Sequence, residues 1–339
     1  MTPQPLTTAS LPLADAVLAE VVGARLQLVE ERLRDAVSHA DLLADTASRH
    51  LVNAGGKRLR PMLAILAAQL GDGMRPEVVD AAVVCELTHL ATLYHDDVMD
   101  SAPLRRGAPS AHEVWGNQVA ILTGDLLFAR ASSIVAGLGP EAVRIQAATF
   151  ERLCLGQLHE TVGPQEGEDP VEHYLQVLSD KTGSLIATSG RMGAMFAGCP
   201  PQVVQLLVRY GEKVGVAFQL ADDVIDLGGD DAQTGKTPGT DLREKVPTMP
   251  ALLLRARASA AGASAEDRAL VELLDSDLSG DAALDEAVAE LRAHPVVAET
   301  RERAAAFARD AAAELAGLPA GPAKDALVSF SDALVERAS

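Results

Sequence analysis

Apolar residues recur at intervals of three and four along nearly the whole chain, the period of an α-helix and not of a strand. Leu26, Val29, Leu33 and Val37 show it in segment 13–52, which reads as one or two amphipathic helices. Further helices are expected over 61–70, 76–100, 113–137, 141–162, 171–197 and 201–227, each bounded by Gly, Pro or Asp. Pro61 suits a first helical turn, where its missing N–H costs nothing. Ala and Leu are abundant and β-branched or aromatic clusters scarce, so no strand-rich stretch exists to cover these faces. Successive apolar stripes must cover one another. The expected architecture is an all-α, single-domain helical bundle over residues 1–339, with residues 1–12 a flexible N-terminus. Region 256–285 reads as short helices with flexible joins. Loops are expected at 101–111, 163–170 and 228–248, and one as long as the last is usually functional or mobile.

Charge then excludes partners. There are 48 Asp and Glu against 29 Lys and Arg, a net of −19. Such a chain is a poor match for nucleic acid or anionic membrane surfaces, both of which want excess Lys and Arg. A hydrophobic fraction of 48% rules out global disorder. Cys85, Cys154 and Cys199 are too few and scattered for a disulfide framework or a Cys-based zinc site. They read as small core residues in a reducing compartment. Met1–Pro5 has no basic region ahead of an apolar stretch, unlike a signal peptide. The longest uncharged run, Met192–Val208, is broken by Pro200 and Pro201 and falls short of the roughly 20 apolar residues of a membrane span. A soluble, cytoplasmic protein with no integral membrane segment is expected.

Two acidic clusters share one design: Asp96-Asp97-Val98-Met99-Asp100 and Asp222-Asp223-Val224-Ile225-Asp226. On a helix, Asp96 and Asp100 share a face, as do Asp222 and Asp226. Like charges at that spacing repel, and near a helix C-terminus the macrodipole disfavours them further. Solvated helix ends would be the simple account of one such cluster. Two matching clusters, each after an apolar run, call for a positive partner. Carboxylates without a His or Cys ligand set suit a hard cation, best Mg2+, which shares its shell with water and substrate phosphates. Two facing clusters would then clamp a diphosphate.

Positive charge is concentrated beside glycine. Gly55-Gly56-Lys57-Arg58-Leu59-Arg60-Pro61 turns into a helix N-terminus, where unpaired N–H groups favour an anion, and Lys57 and Arg60 can share a face. Arg105-Arg106-Gly107 follows the first acidic cluster, and Lys181-Thr182-Gly183 and Gly235-Lys236 add two cations. Each alone reads as a surface charge; together they read as phosphate contacts. His89, two turns before Asp96, is a core histidine or a second diphosphate contact. Gln219, three before Asp222, either joins the carboxylate face or satisfies a buried backbone group.

These residues resemble the trans-isoprenyl diphosphate synthase, or polyprenyl synthetase, family. The matching pieces are GGKRLRP at Gly55–Pro61, HLATLYHDDVMD at His89–Asp100, RRGAP at Arg105–Pro109, Gly124-Asp125, Gly156-Gln157, Lys181-Thr182, Phe218-Gln219 with DDVID, and Gly235-Lys236 before Gly239–Leu242. They run in the family's order over residues about 50–250. The resemblance implies a mostly antiparallel bundle around a central cavity, the isoprenoid synthase fold, and condensation of isopentenyl diphosphate with an allylic prenyl diphosphate. It implies Mg2+, about three ions per site, with Mn2+ as a substitute, and a homodimer. It assigns the metal to Asp96, Asp100 and Asp222, with Asp97, Asp223 and Asp226 assisting. Arg105, Lys181, Thr182, Gln219 and Lys236 would contact the allylic diphosphate or flank the reacting carbons. Lys57, Arg60, His89 and Arg106 would hold isopentenyl diphosphate. Where many relatives carry Gly after Glu244, this chain has Lys245-Val246-Pro247, and Lys245 reads as a solvated loop residue.

The same analogy places Leu87, Thr88, Ala91 and Thr92 along the tunnel where product grows. Short-product relatives often plug it with an aromatic four or five positions before the first aspartate; here Thr92 and Ala91 are small. A long all-trans product is expected, hexaprenyl to decaprenyl, for a quinone side chain such as that of menaquinone. Tyr94 and Phe128 are the alternative plugs. The rival readings are a short-chain farnesyl or geranylgeranyl diphosphate synthase, a terpene cyclase, and a non-catalytic subunit that binds prenyl diphosphate. GGKRLRP argues against the cyclase, which needs no second diphosphate pocket.

Overall fold

The computed structural model describes residues 13–228 and 238–336, and among them the chain is helical almost throughout, as the apolar period demands. Helices α1 (Ala16–Ala36) and α2 (Leu42–Asn53) each start on an aspartate: Asp15 accepts from the Leu18 N–H and Asp41 from the Ala44 N–H. Then come α3 (Leu59–Ala68) and α4 (Pro76–Met99), which opens on a proline. Within loop 101–111 the strands β1 (Leu104–Arg105) and β2 (Ala108–Pro109) pair antiparallel, the one strand pairing among the described residues. Helices α5 (Ala111–Trp115) and α6 (Asn117–Gly137) stand where one was expected, separated by Gly116 at φ 83°. Next are α7 (Pro140–Val162), α8 (Pro170–Leu178), a π-helical turn at Ser179–Gly183, α9 (Ser184–Phe196) and α10 (Pro201–Gly228). The chain continues through α11 (Thr240–Arg243), α12 (Met249–Ser259), α13 (Ala265–Asp275), α14 (Asp281–Ala293), α15 (Pro295–Glu314) and α16 (Pro322–Val335). The expected short helices of 256–285 are α13 and the ends of its neighbours.

The chain forms two compact units. The first takes residues up to Leu153 with Ser184–Glu212 and Ala312–Phe330. Its centre is α4, which packs most extensively on α6 and also against α1, α3 and α9. Beyond Arg60, helix α3 is apolar all round and buried from Pro61 to Ala68, as such a segment must be. It lies so close to α9 that a Cβ on Gly193 would stand 2.0 Å from the Ala64 carbonyl oxygen. Tyr94 ties α4 to α2: its buried hydroxyl donates to the Ala47 carbonyl at 2.5 Å and accepts from the Leu51 N–H at 3.2 Å. The second unit takes Cys154–Gly183, Lys213–Ala311 and the residues from Ser331 onward. Its core includes Leu220, Val224, Met249, Leu254, Leu284, Leu291 and Val296.

One expectation needs correction. Cys85 is buried, but Cys154 is exposed on α7 and is no core residue. Helix α6 is long and apolar enough, at a mean hydropathy of 1.6, to cross a membrane by length and composition alone. It packs along α4 and carries Asp125 and Arg130, which a bilayer core disfavours.

Close α3–α9 packing makes Gly193 a sensitive position. Gly193→Ala should destabilise the protein by about 2–3 kcal/mol, measured by denaturant unfolding, because overpacked helix contacts cannot relax freely. Gly137→Ala, with nothing near its Cβ position, should be neutral or slightly stabilising.

Candidate active site

In the first unit the site residues gather at the C-terminal end of α4. Asp96 is half-buried and Asp100 exposed, one turn apart on the same face. Asp97 points elsewhere. It is fully buried and accepts from Arg105 Nε at 2.6 Å. Burial raises its pKa, and Arg105 opposes the rise. The β1–β2 hairpin delivers that arginine. Its two-residue turn, Arg106-Gly107, has φ of 54° and 76°, the pair of positive values that a tight type I′ turn needs. Arg106 donates to the Leu51 carbonyl at 3.1 Å and to the Gly55 carbonyl. It lies over Gly56, where a Cβ would be 2.7 Å from the guanidinium carbon. The Gly-Gly step thus admits an arginine against bare backbone.

Around this turn lies desolvated positive charge. Burial brings Arg60 down to about 10 and lowers Arg106 as well, and both stay charged at neutral pH. Burial, with Arg60 and Arg106 next in importance, holds the His89 imidazole well below its ordinary pKa. His89 is therefore neutral and able to donate one hydrogen bond. Lys57 stands exposed beside them. Poorly hydrated arginines around a glycine turn favour a multiply charged anion.

The second unit holds the other residues. The π turn at Ser179–Gly183 presents Lys181 and Thr182. Two glycines make room for it: a Cβ on Gly156 of α7 would lie 2.9 Å from the Lys181 nitrogen, and one on Gly215 of α10 only 2.4 Å from the Gly183 Cα. Such turns often mark functional sites. Lys181 Nζ donates to Glu160. On α10, Gln219, Asp222 and Asp226 are half-buried. The Gly239–Leu242 segment folds back on this helix, with the Gly239 N–H donating to the Asp226 carbonyl at 2.9 Å and the Asp241 N–H to Asp226 Oδ2 at 3.4 Å. Asp223 is buried, and its carboxylate accepts from the Tyr174 hydroxyl at 2.9 Å and from the Met249 N–H at 2.9 Å. Burial pushes its pKa well above the usual carboxylate range.

Asp97 and Asp223, expected to assist at the metal, turn their carboxylates inward, to Arg105 and to Tyr174 with the Met249 N–H. Asp96, Asp100, Asp222 and Asp226 remain the accessible carboxylates. Among the described residues no three or more His, Cys, Asp or Glu side chains converge into a metal cage. One or two carboxylates per site, completed by water and substrate phosphate, is the donor set Mg2+ uses, so these residues fit that ion. Lys236 lies outside the described residues. Lys245 is exposed, with φ 57°.

The residues proposed to set product length sit one to three turns before Asp96. Leu87, Thr88 and Ala91 are buried and Thr92 is half-buried, with its hydroxyl bonded to the His89 carbonyl. The Tyr94 hydroxyl is committed to α2, and Phe128 stacks on Phe150 with ring centroids 3.9 Å apart. Tyr174 and Glu160 were missed, because their partners lie 49 and 21 residues away and no local spacing reveals them. Tyr174→Phe should cost about 1–2 kcal/mol in denaturant unfolding, since it removes one of the two donors to the buried Asp223 carboxyl group.

A polyprenyl synthetase family model matches residues 42–291. The nonaprenyl diphosphate synthase of Mycobacterium tuberculosis is 47% identical over 333 residues, covering 97% of each chain. A crystal structure of a polyprenyl synthase from Caulobacter crescentus, complexed with calcium and isoprenyl diphosphate, superposes with a TM-score of 0.85 at 31% identity, covering 95% of this chain and 97% of that one. A decaprenyl diphosphate synthase from Rhodobacter capsulatus gives 0.83 at 34% identity, covering 95% and 99%. With the fold and the motif residues described above, these matches establish that the chain belongs to the polyprenyl synthetase family.

Proposed function

We propose that the chain is a trans-prenyltransferase that adds isopentenyl diphosphate to an allylic prenyl diphosphate and releases a long-chain all-trans polyprenyl diphosphate. One observation carries the reading: a single chain holds two kinds of anion site. One is a desolvated cationic pocket at the Gly-Gly turn. The other is a pair of aspartate clusters suited to diphosphate only through a divalent cation. A reaction that joins two diphosphates and expels one of them needs both.

Lys57, Arg60, His89 and Arg106 hold the isopentenyl diphosphate. Arg105, Lys181, Thr182 and Lys236 hold the allylic diphosphate. Asp96, Asp100 and Asp222 would hold Mg2+, which when bound would supply neutralising charge to the leaving diphosphate. The allylic C1–O bond breaks with its electron pair going to the diphosphate, where Arg105 and Lys181 stabilise the growing charge. The isopentenyl double bond, held in line by its own diphosphate, attacks C1. The C2 proton then leaves for an oxygen of the expelled diphosphate, and a new double bond forms. Gln219 flanks the transient cation, and apolar helix faces keep out the water that would quench it.

A long product is supported by the nonaprenyl and decaprenyl synthases among the relatives, and we assign its length to the small side chains at Ala91 and Thr92. A quinone side chain, as in menaquinone, is the use such a product suits. Self-association fits α6, whose apolar Ile121 and Leu122 side chains are exposed.

Incubation of the purified protein with isopentenyl diphosphate, an allylic primer and Mg2+ tests the reading, with products sized by chromatography. Chains of about six to ten isoprene units are expected; release of only farnesyl or geranylgeranyl diphosphate under isopentenyl excess would exclude long-chain synthesis. Asp96→Ala and Asp222→Ala should each lower turnover by at least about 10²–10³-fold, as loss of a charge stabiliser does. Ala91→Phe should shorten the product while leaving condensation intact, and an unchanged product distribution would remove Ala91 from the tunnel.

A further inference from the structure

The glycine turn carries a third cation that the reaction does not use. Arg58 sits between Lys57 and Arg60, but its side chain is buried. Its backbone is left-handed, with φ 50°, a conformation uncommon for a non-glycine residue. Its side chain is held on several sides. Arg58 Nε donates to Glu30 Oε1 of α1 at 2.5 Å, and Nη1 donates to Glu86 Oε1 of α4 at 2.9 Å. Nη1 also reaches the Gly55 carbonyl at 3.3 Å, and Nη2 the Val52 carbonyl of α2 at 3.2 Å. One planar guanidinium thus ties the turn to three helices. Glu30 is braced in turn by Arg34 at 3.5 Å. Glu86, three residues before His89 and on the same helix face, also supports the charge on Arg60 and Arg106.

A buried ionic cluster is a poor way to gain stability, because its desolvation offsets its attraction. Its geometry does something else: it fixes where the residues on either side point. We propose that Glu30, Arg58 and Glu86 form a positioning triad that sets the Gly55–Pro61 turn and so orients Lys57 and Arg60 for the isopentenyl diphosphate, without touching substrate. The inference rests on the prenyltransferase reading. It predicts that damage to the triad falls on one substrate only.

Arg58→Lys keeps the charge but loses the fork that spans both carboxylates. Steady-state kinetics on the folded variant, checked by circular dichroism, should show KM for isopentenyl diphosphate raised about tenfold. KM for the allylic primer should change less than about twofold, and turnover at saturation less than about threefold. A folded variant with both KM values unchanged, or with both raised alike, would overturn the triad's role. Should Arg58→Lys fail to fold, Glu30→Gln decides: removing one charge of the brace should raise only the isopentenyl KM, by about threefold, and no change would overturn the inference. A wild-type protein inactive with both substrates would instead overturn the prenyltransferase reading and remove the ground for the triad with it.

Discussion

Crowded like charges organise this molecule. Two carboxylates a turn apart near a helix C-terminus repel each other and meet an unfavourable dipole, and the chain makes that arrangement twice. The structure relieves part of the repulsion internally. It gives the middle aspartate of each cluster to a protein donor: Arg105 for Asp97, Tyr174 and the Met249 N–H for Asp223. The outer aspartates keep the more accessible positions. Around the Gly-Gly turn the same problem appears with opposite sign, as Arg60, Arg106 and Arg58 share the negative charge of Glu86.

Holding such groups against their repulsion needs a rigid scaffold, and missing side chains supply much of it. Gly193 lets α3 and α9 approach within backbone contact. Gly56 admits Arg106, while Gly156 and Gly215 admit the π turn that carries Lys181 and Thr182. At each of these positions a methyl group would displace backbone or a charged side chain that bears on the chemistry.

The helical class, nearly every helix of the first 228 residues and the two aspartate clusters are legible in the sequence, because each is a matter of local spacing. The π turn is not: segment 171–197 keeps a continuous apolar pattern, and a single wide turn leaves its period nearly intact. The inward turn of Asp97 and Asp223 is also hidden, since identical residues in identical patterns split roles according to partners elsewhere in the chain. The same holds for Glu30 and Glu86, which read as ordinary helix acids until Arg58 is seen between them, 28 residues from each. Glycines at helix crossings were the available signal for the π turn; nothing local pointed to the buried acids.

The central claim is that this chain binds one diphosphate with its own cations and the other through a metal. Isothermal titration with isopentenyl diphosphate and with a non-hydrolysable allylic thiodiphosphate, each in Mg2+ and in EDTA, tests it directly. The account predicts that isopentenyl diphosphate binds in EDTA with Kd within about threefold of its value in Mg2+, while the allylic analogue loses at least about a hundredfold. Equal dependence of both ligands on the metal, or of neither, would contradict it.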